Sequence, residues 1–299
     1  MHRNAFAAAA MSAGLSVCAH GAGTLVGHWK FNEAGGPTAF DSSPNGFNGT
    51  LAGSAAFVSG GIEGNAISLS TAGGSYVDMG AIPFNGAPFS LSAWIKTTST
   101  THEIVAGRHV ATVVQGYFLA INGGGPGGYG LPGKAYSYVS TTPGNEPISV
   151  TTVNNDQWHH LVMTHRPGGP TTIFVDGKLE GTRMPSYISS AAAFIVGGLM
   201  NTSGGRFSAY TGLADDVQLF DGALNGAQIC ALFNSPGSPP PVTCDGDLNL
   251  DGFVNFTDLN LVLSAFGQSG FCLQADADGD GQVNFTDLNI ILSAFGTAC

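Results

Sequence analysis

One twelve-residue pattern occurs twice near the C-terminus: Asp247-Leu-Asn-Leu-Asp-Gly-Phe-Val-Asn-Phe-Thr-Asp258 and Asp276-Ala-Asp-Gly-Asp-Gly-Gln-Val-Asn-Phe-Thr-Asp287. Oxygen-bearing side chains fall at positions 1, 3, 5, 9 and 12 of each copy, namely Asp247, Asn249, Asp251, Asn255 and Asp258, then Asp276, Asp278, Asp280, Asn284 and Asp287. Gly252 and Gly281 stand at position 6, where such a loop turns sharply, and the main-chain carbonyls of Phe253 and Gln282 supply position 7. Carboxylates about 5 Å apart repel by roughly 3 kcal/mol per pair at an effective dielectric of 20. A solvated acidic loop leaves that repulsion uncompensated, so the pattern predicts two bound Ca2+ ions.

The composition narrows the class of partner. The chain of 299 residues has a formal net charge of -11, and no Lys or Arg follows Arg206. That balance argues against nucleic acid or an anionic membrane surface. Charged residues make up 10% and glycine alone contributes 45 residues, a balance expected of an extracellular all-β protein. At the N-terminus, Met1-His-Arg-Asn precedes an alanine-rich apolar run from Ala5 to Ala19 and a small-residue stretch. This reads as a signal peptide over 1–22, too short to span a bilayer, so no transmembrane segment is expected. Leu15-Ser-Val-Cys18 is a weak lipoprotein box because Val precedes the cysteine. Its removal leaves Cys230, Cys244, Cys272 and Cys299 for an oxidising compartment, with three pairings open. Head-to-tail packing of the two loop units favours Cys244 with Cys299, and leaves Cys230 and Cys272 to pair or stay free.

From Leu25 to Asn234 short apolar runs are punctuated by Gly, Asn and Pro. The runs 25–32, 66–68, 76–79, 89–97, 104–106, 117–121, 158–165, 171–175, 194–197 and 214–220 predict strands. Asp176-Gly177 predicts a hairpin turn, and only Asn225 to Phe233 reads as a helix. So many short strands in one stretch mean a two-sheet sandwich. The ordered set Leu25-Val-Gly-His-Trp-Lys-Phe-Asn-Glu, Phe40-Asp-Ser-Ser-Pro-Asn-Gly, Phe89-Ser-Leu-Ser-Ala-Trp-Ile-Lys, Trp158-His-His-Leu, Ile173-Phe-Val-Asp-Gly-Lys and Gly212-Leu-Ala-Asp-Asp-Val resembles the laminin-G-like, concanavalin A-like jelly roll. The resemblance implies an all-β jelly-roll sandwich over 23–234.

That fold hosts lectins, glucanases and adhesion modules, so chemistry must be sought in the residues. The jelly-roll glucanases carry Glu-x-Asp-x-x-Glu on one strand, because two carboxylates must flank the glycosidic bond. Here Glu33, Glu63, Glu103, Glu146 and Glu180 are dispersed, and the neighbours Asp215 and Asp216 point to opposite faces of a strand. The histidines show no metal-ligand spacing, and Trp29, Trp94 and Trp158 lie in apolar strand contexts expected of a core. The resemblance implies a structural calcium held by Asp41 and Asp216; the alternative makes Asp41 the start of an Asx turn. In the glycine-rich loop 122–133, Tyr129 is the expected ligand-contacting aromatic.

Ser235-Pro-Gly-Ser-Pro-Pro-Pro241 opens a segment, 235–243, that favours extended polyproline geometry and predicts a semi-rigid linker. It leaves no room for a helix before the first acidic loop. Two loop-helix units with Asp at position 12 resemble the type I dockerin over 244–299, which implies a small all-α C-terminal domain. At 100° per residue Phe256, Leu259, Val262, Leu263 and Phe266 form an apolar stripe, and Thr257, Leu261, Ser264 and Ala265 lie opposite. The resemblance makes that second set partner-docking residues, repeated as Thr286, Ile290, Ser293 and Ala294. The basic residues usual on this face are missing here. The expected partner is accordingly a cohesin-like or cell-surface protein, with a glycan or surface polymer on the sandwich. A glycoside hydrolase with an unrecognised carboxylate pair and a structural cell-surface protein are the alternatives.

Overall fold

A computed structural model describes residues 23–83, 88–110, 115–123, 130–139, 144–187, 189–200 and 206–299. The segment 1–22, expected to be a signal peptide, and Tyr129 lie outside the described residues. The first half contains β1 (Thr24–Trp29), β2 (Thr38–Ala39), β3 (Gly49–Ala52), β4 (Ala56–Ser59), β5 (Asn65–Leu69), β6 (Tyr76–Asp78), β7 (Phe89–Lys96), β8 (Glu103–Val110) and β9 (Gln115–Ile121). There follow β10 (Lys134–Val139), β11 (Ile148–Thr152), β12 (His159–His165), β13 (Thr171–Val175), β14 (Lys178–Arg183), β15 (Ile195–Val196), β16 (Leu199–Met200), β17 (Arg206–Phe207) and β18 (Gly212–Asp221). One sheet runs β14-β13-β12-β7-β18-β5-β4 with β1 also on β18, and the other runs β11-β10-β9-β8-β15-β6-β3-β2. The jelly-roll sandwich is therefore present. The Asp176-Gly177 turn joins β13 to β14 with φ of 52° and 80°, the doubly left-handed geometry that suits a tight hairpin.

β7 shows how the sequence makes the sandwich. Phe89, Leu91, Ala93 and Ile95 alternate into the core between the sheets, where burial of each large side chain contributes about 1.5–3 kcal/mol. Trp29 stacks on Phe194 there, with centroids 5.5 Å apart, and Phe89 meets Tyr117 at 4.2 Å. The opposite side of β7 is also buried. Its Trp94 stacks on His160 and on Phe233 of the helix α1 (Gly226–Asn234), at 4.9 and 5.6 Å. Asn225 caps α1 by accepting from Gln228 N at 2.9 Å, and Gln228 returns a bond to Asn225 N.

The C-terminal unit contains α2 (Phe256–Ala265) and α3 (Phe285–Ala294), packed over Leu248, Val254, Val262, Val283 and Ile291. An internal pseudo-twofold relates the halves. Val254, at position 8 of the first loop, pairs with Thr297 and Gly296 beyond α3, and Val283, at position 8 of the second loop, pairs with Gly267 and Gln268 beyond α2. The structure bridges Cys244 to Cys299 and Cys230 to Cys272.

The expected spacer is instead a strap folded onto the sandwich. Gly237 N donates to Asp216 Oδ2 at 2.8 Å, Gln228 Nε2 donates to Pro241 O at 3.0 Å, and Pro240 and Thr243 are buried. The strap begins with a turn in which Ser238 N donates to Ser235 O at 3.2 Å. No helix among the described residues is long and apolar enough to cross a membrane.

Candidate calcium loops and docking face

Each acidic loop is built around its first and last carboxylates. Asp247 Oδ1 accepts from Asp251 N at 3.1 Å and Oδ2 from Gly252 N at 2.8 Å, and Thr243 Oγ1 also donates to Asp247. In the second loop Asp276 Oδ1 accepts from Gly279 N and Asp280 N at 2.9 and 3.1 Å, and Oδ2 from Gly281 N at 2.7 Å. Gly252 and Gly281 both adopt φ of +89°, which a side chain would strain. At position 12, Asp258 accepts from Leu248 N at 2.9 Å and Asn255 N at 2.9 Å, and Asp287 repeats this with Ala277 N and Asn284 N, both at 2.8 Å. The sequence repeat thus becomes a repeat of geometry.

The two loops differ in charge. Ligand-type oxygens of Asp276, Asp278 and Asp287 all lie within 4.8 Å of one another. Burial, with added repulsion from Asp278 and Asp287, pushes Asp276 up to about 7, and burial followed by the charges of Asp287 and Asp280 raises Asp278. In the first loop Asn249 replaces the third-position carboxylate and donates to Asp251 Oδ2 at 2.8 Å. A crowd of hard oxygens whose ionised state is unfavourable without a counter-charge fits a calcium ion.

The helix faces differ from the sequence expectation, and Asp258 supplies the reason. Its carboxylate must point into the loop, so residues three, four and seven positions on face inward with it. Val262 is buried, and Leu261 and Ala265 are half-buried against the small core. The apolar stripe read from the sequence is split: Val262 and Leu259 lie on the core as expected, but Phe256 is 69% exposed, Leu263 54% and Phe266 41%. The repeat matches, with Ile290 and Ala294 half-buried, Phe285 69% exposed and Leu292 53%. Of the expected docking residues, Thr257, Ser264, Thr286 and Ser293 are exposed; the apolar members of the outer surface are Phe256, Leu263, Phe285 and Leu292 instead of Leu261 and Ile290. Phe256 meets Phe295 edge-on at 5.0 Å, and Phe285 meets Phe266 at 5.0 Å, one pair at each end of the helix couple. Identical residue types 29 positions apart are the sequence signal for this duplicated surface.

The second loop also touches the sandwich. Gly279 O accepts from Leu179 N at 3.0 Å, and Ala277 O accepts from Gly226 N at 3.3 Å. A Cβ on Gly279 would lie 2.8 Å from Phe174 Cε1, and one on Gly226 would lie 2.7 Å from Asp276 O. Arg166 Nη1 reaches Asp245 Oδ2 at 3.3 Å beside the same contact. Ile290 lines the crevice there, together with Arg166, Phe174 and Leu179.

Asp41 and Asp216, the pair implied for a third ion, are each held by protein donors. Asp41 Oδ1 accepts from Ser43 N and His28 N at 2.8 and 2.9 Å, and Oδ2 from Ser43 Oγ and Phe47 N, both 2.8 Å, which is the Asx-turn arrangement. Asp216 bonds His28 Nε2 at 2.6 Å, Gln218 Nε2 at 3.0 Å and Gly237 N. Asp215 turns instead to Ile62 N at 2.8 Å, and burial pushes it up to about 7. Glu103, Glu146 and Glu180 each accept from local hydroxyl or backbone donors.

Residues 71–230 match the concanavalin A-like lectin/glucanases superfamily, in its Laminin_G_3 group, and residues 245–295 match the dockerin type I domain. The chain belongs to that superfamily and carries a C-terminal type I dockerin domain, from which calcium binding follows. Among solved structures it is similar to domain 4 of AbnA, an extracellular GH43 arabinanase from Geobacillus stearothermophilus, solved with arabinotriose. The identity is 20%, the TM-score 0.52, and the match covers 71% of this chain and 98% of that one. It is also similar to the binding domain of Paraclostridial Mosquitocidal Protein 1, at 16% identity and TM-score 0.51, covering 70% of this chain and 52% of that one. The receptor binding domain of botulinum neurotoxin D matches at 13% and 0.51 over 70% and 52%. At these identities the likeness is one of fold. No curated protein matches the chain.

Proposed function

We propose that this is a secreted, non-catalytic binding protein, in which the sandwich recognises a carbohydrate or surface polymer and the C-terminal unit docks onto a cohesin-like or cell-surface protein. Each acidic loop holds one Ca2+ through the side chains at positions 1, 3, 5, 9 and 12 and the carbonyl of Phe253 or Gln282. The observation that carries the docking role is the duplicated, uncharged outer surface in which Phe256, Thr257, Leu263 and Ser264 recur as Phe285, Thr286, Leu292 and Ser293. Monomeric proteins rarely keep contiguous apolar surface without a partner for it. For the sandwich, support comes from the similarity to an arabinanase domain solved with arabinotriose, and from the commitment of Glu103, Glu146 and Glu180 to hydrogen bonds within the fold.

Calcium does not act as a catalyst in this reading. It neutralises the loop carboxylates, so that the N-caps Asn255 and Asn284 and the capping-box acids Asp258 and Asp287 can hold α2 and α3 in register. Binding of the full chain to a cohesin panel, with calcium and with chelator, tests the docking role. Calcium-dependent retention that falls in the Phe256→Ser, Phe285→Ser double variant is expected; equal retention in chelator overturns it. Hydrolysis of a polysaccharide, lost on changing one Asp of the sandwich, overturns the non-catalytic reading.

A further inference from the structure

A cavity of about 600 Å³ opens at one end of the sandwich, where β5, β7 and β18 run into the segment 97–103. Seven of its thirteen lining residues are Ser or Thr, and none is aromatic. Its floor is Glu103, only 2% exposed. Burying a carboxylate without a cation partner is costly unless donors surround it. Here Oε1 accepts from Ser99 Oγ at 2.7 Å and Thr101 Oγ1 at 3.1 Å, and Oε2 accepts from Thr211 N at 2.9 Å. Glu103 thereby fixes the segment 99–103 and Thr211 as one wall. Thr71 Oγ1 continues that wall, 2.8 Å from Thr211 Oγ1.

The rim has unspent hydrogen-bonding capacity. Lys96 Nζ and Asp156 Oδ1 stand 3.9 Å apart, with side chains 34% and 65% exposed. That gap is too long for a hydrogen bond between them. It suits a single hydroxyl oxygen that accepts from the ammonium and donates to the carboxylate. Asp156 is held with φ of 63°, its N–H donating to Thr97 O at 3.1 Å, a backbone state uncommon outside glycine. Thr98 is exposed and Ser68 half-buried on the same lining.

The ligand class follows from this inventory. With one ammonium against two carboxylates the cavity disfavours anions, and with Leu69 and Leu213 as its only large apolar members it offers little to a lipid or a flat ring. Alternating donors and acceptors fit a neutral polyol. We propose that the cavity between Lys96, Glu103 and Asp156 is the carbohydrate site of the sandwich, taking a short stretch of a neutral oligosaccharide. The proposal rests on the carbohydrate-binding reading given above.

Titration of the full chain, in calcium, with arabinotriose, xylotriose, cellotriose and mannotriose tests it by NMR and calorimetry. Lys96→Ala with Asp156→Gly removes both rim charges, and glycine tolerates the positive φ at 156. The expected results are amide shifts over 96–103 and 211 with at least one trisaccharide, and an affinity reduced by about tenfold or more in the double variant at unchanged melting temperature. Binding that survives within about twofold, with shifts elsewhere, overturns this site and leaves the carbohydrate reading standing. Failure of every trisaccharide to bind the wild-type chain overturns both.

Discussion

Cys230 on α1 is bridged to Cys272, four residues before the second acidic loop, with their Cα atoms 5.2 Å apart at a sequence separation of 42. In the chain-entropy picture a closed loop of that size contributes about 4 kcal/mol. The bridge lies beside the Leu179–Gly279 hydrogen bond, and Gly177 leaves no room for a Cβ against Cys272 Sγ. The C-terminal unit is thus joined to the sandwich by covalent, hydrogen-bonded and packed contacts at one place, and the second loop forms part of that joint.

Calcium removal is expected to act mainly on the tail. α2 and α3 hold ten residues each against nine in α1, so most of the helical circular dichroism reports on them. Chelator should lower that signal and speed amide exchange over 244–299, while the sandwich stays protected and added calcium reverses the change. Unaltered helical ellipticity in chelator contradicts the ion assignment.

Gly226→Val should open the joint from the sandwich side. Its side chain would meet Asp276 O and Gly279 N, at 2.7 and 2.8 Å from Cβ, and both are backbone atoms of the second loop. Overpacking of this kind costs about 1–3 kcal/mol. Hydrogen exchange is the readout: the Leu179 amide should lose protection while the β7 and β12 amides keep theirs.

Acid stability should report the buried histidines. Burial lowers His109, His160 and His165 to about 4 from 6.5. The unfolded chain therefore binds more protons than the folded one between these values, and stability present above pH 6.5 is lost as pH falls towards 4. His160, fully buried between Trp94 and Phe233, accounts for roughly 3 kcal/mol of that loss. Asp215, raised to about 7 by burial, works in the opposite direction, losing stability as pH rises from 4 to 7. His160→Gln should flatten the decline in denaturant midpoint between pH 6.5 and 4; an unchanged slope contradicts a neutral, buried His160.

Residues whose pattern serves one local purpose are legible in the amino-acid sequence. The twelve-residue loops, the Asp176-Gly177 turn, the α1 cap and the alternation of β7 each carry their own signal. Edge strands do not: β14 is Lys-Leu-Glu-Gly-Thr-Arg, largely exposed, with no apolar face to mark it. β10 is hidden in the sequence although Ala135, Tyr136 and Tyr138 are buried, because it follows directly on a glycine-rich stretch. Hydropathy misplaces the helix faces of the tail, since it assigns Phe256 and Leu263 to the core. What turns the helix is Asp258, whose polar ties to Leu248 and Asn255 outweigh the preference of two apolar side chains for burial. The cavity at Glu103 has no linear motif, since its walls come from strands distant in sequence.

The two bridges interlock, because Cys244 lies between Cys230 and Cys272, and Cys272 lies between Cys244 and Cys299. The proline-rich strap runs between Cys230 and Cys244, inside the span of the first bridge. A protease that cuts the strap therefore produces two chains that still migrate as one until a reductant is added. A nick in the strap therefore would not separate the C-terminal unit from the sandwich.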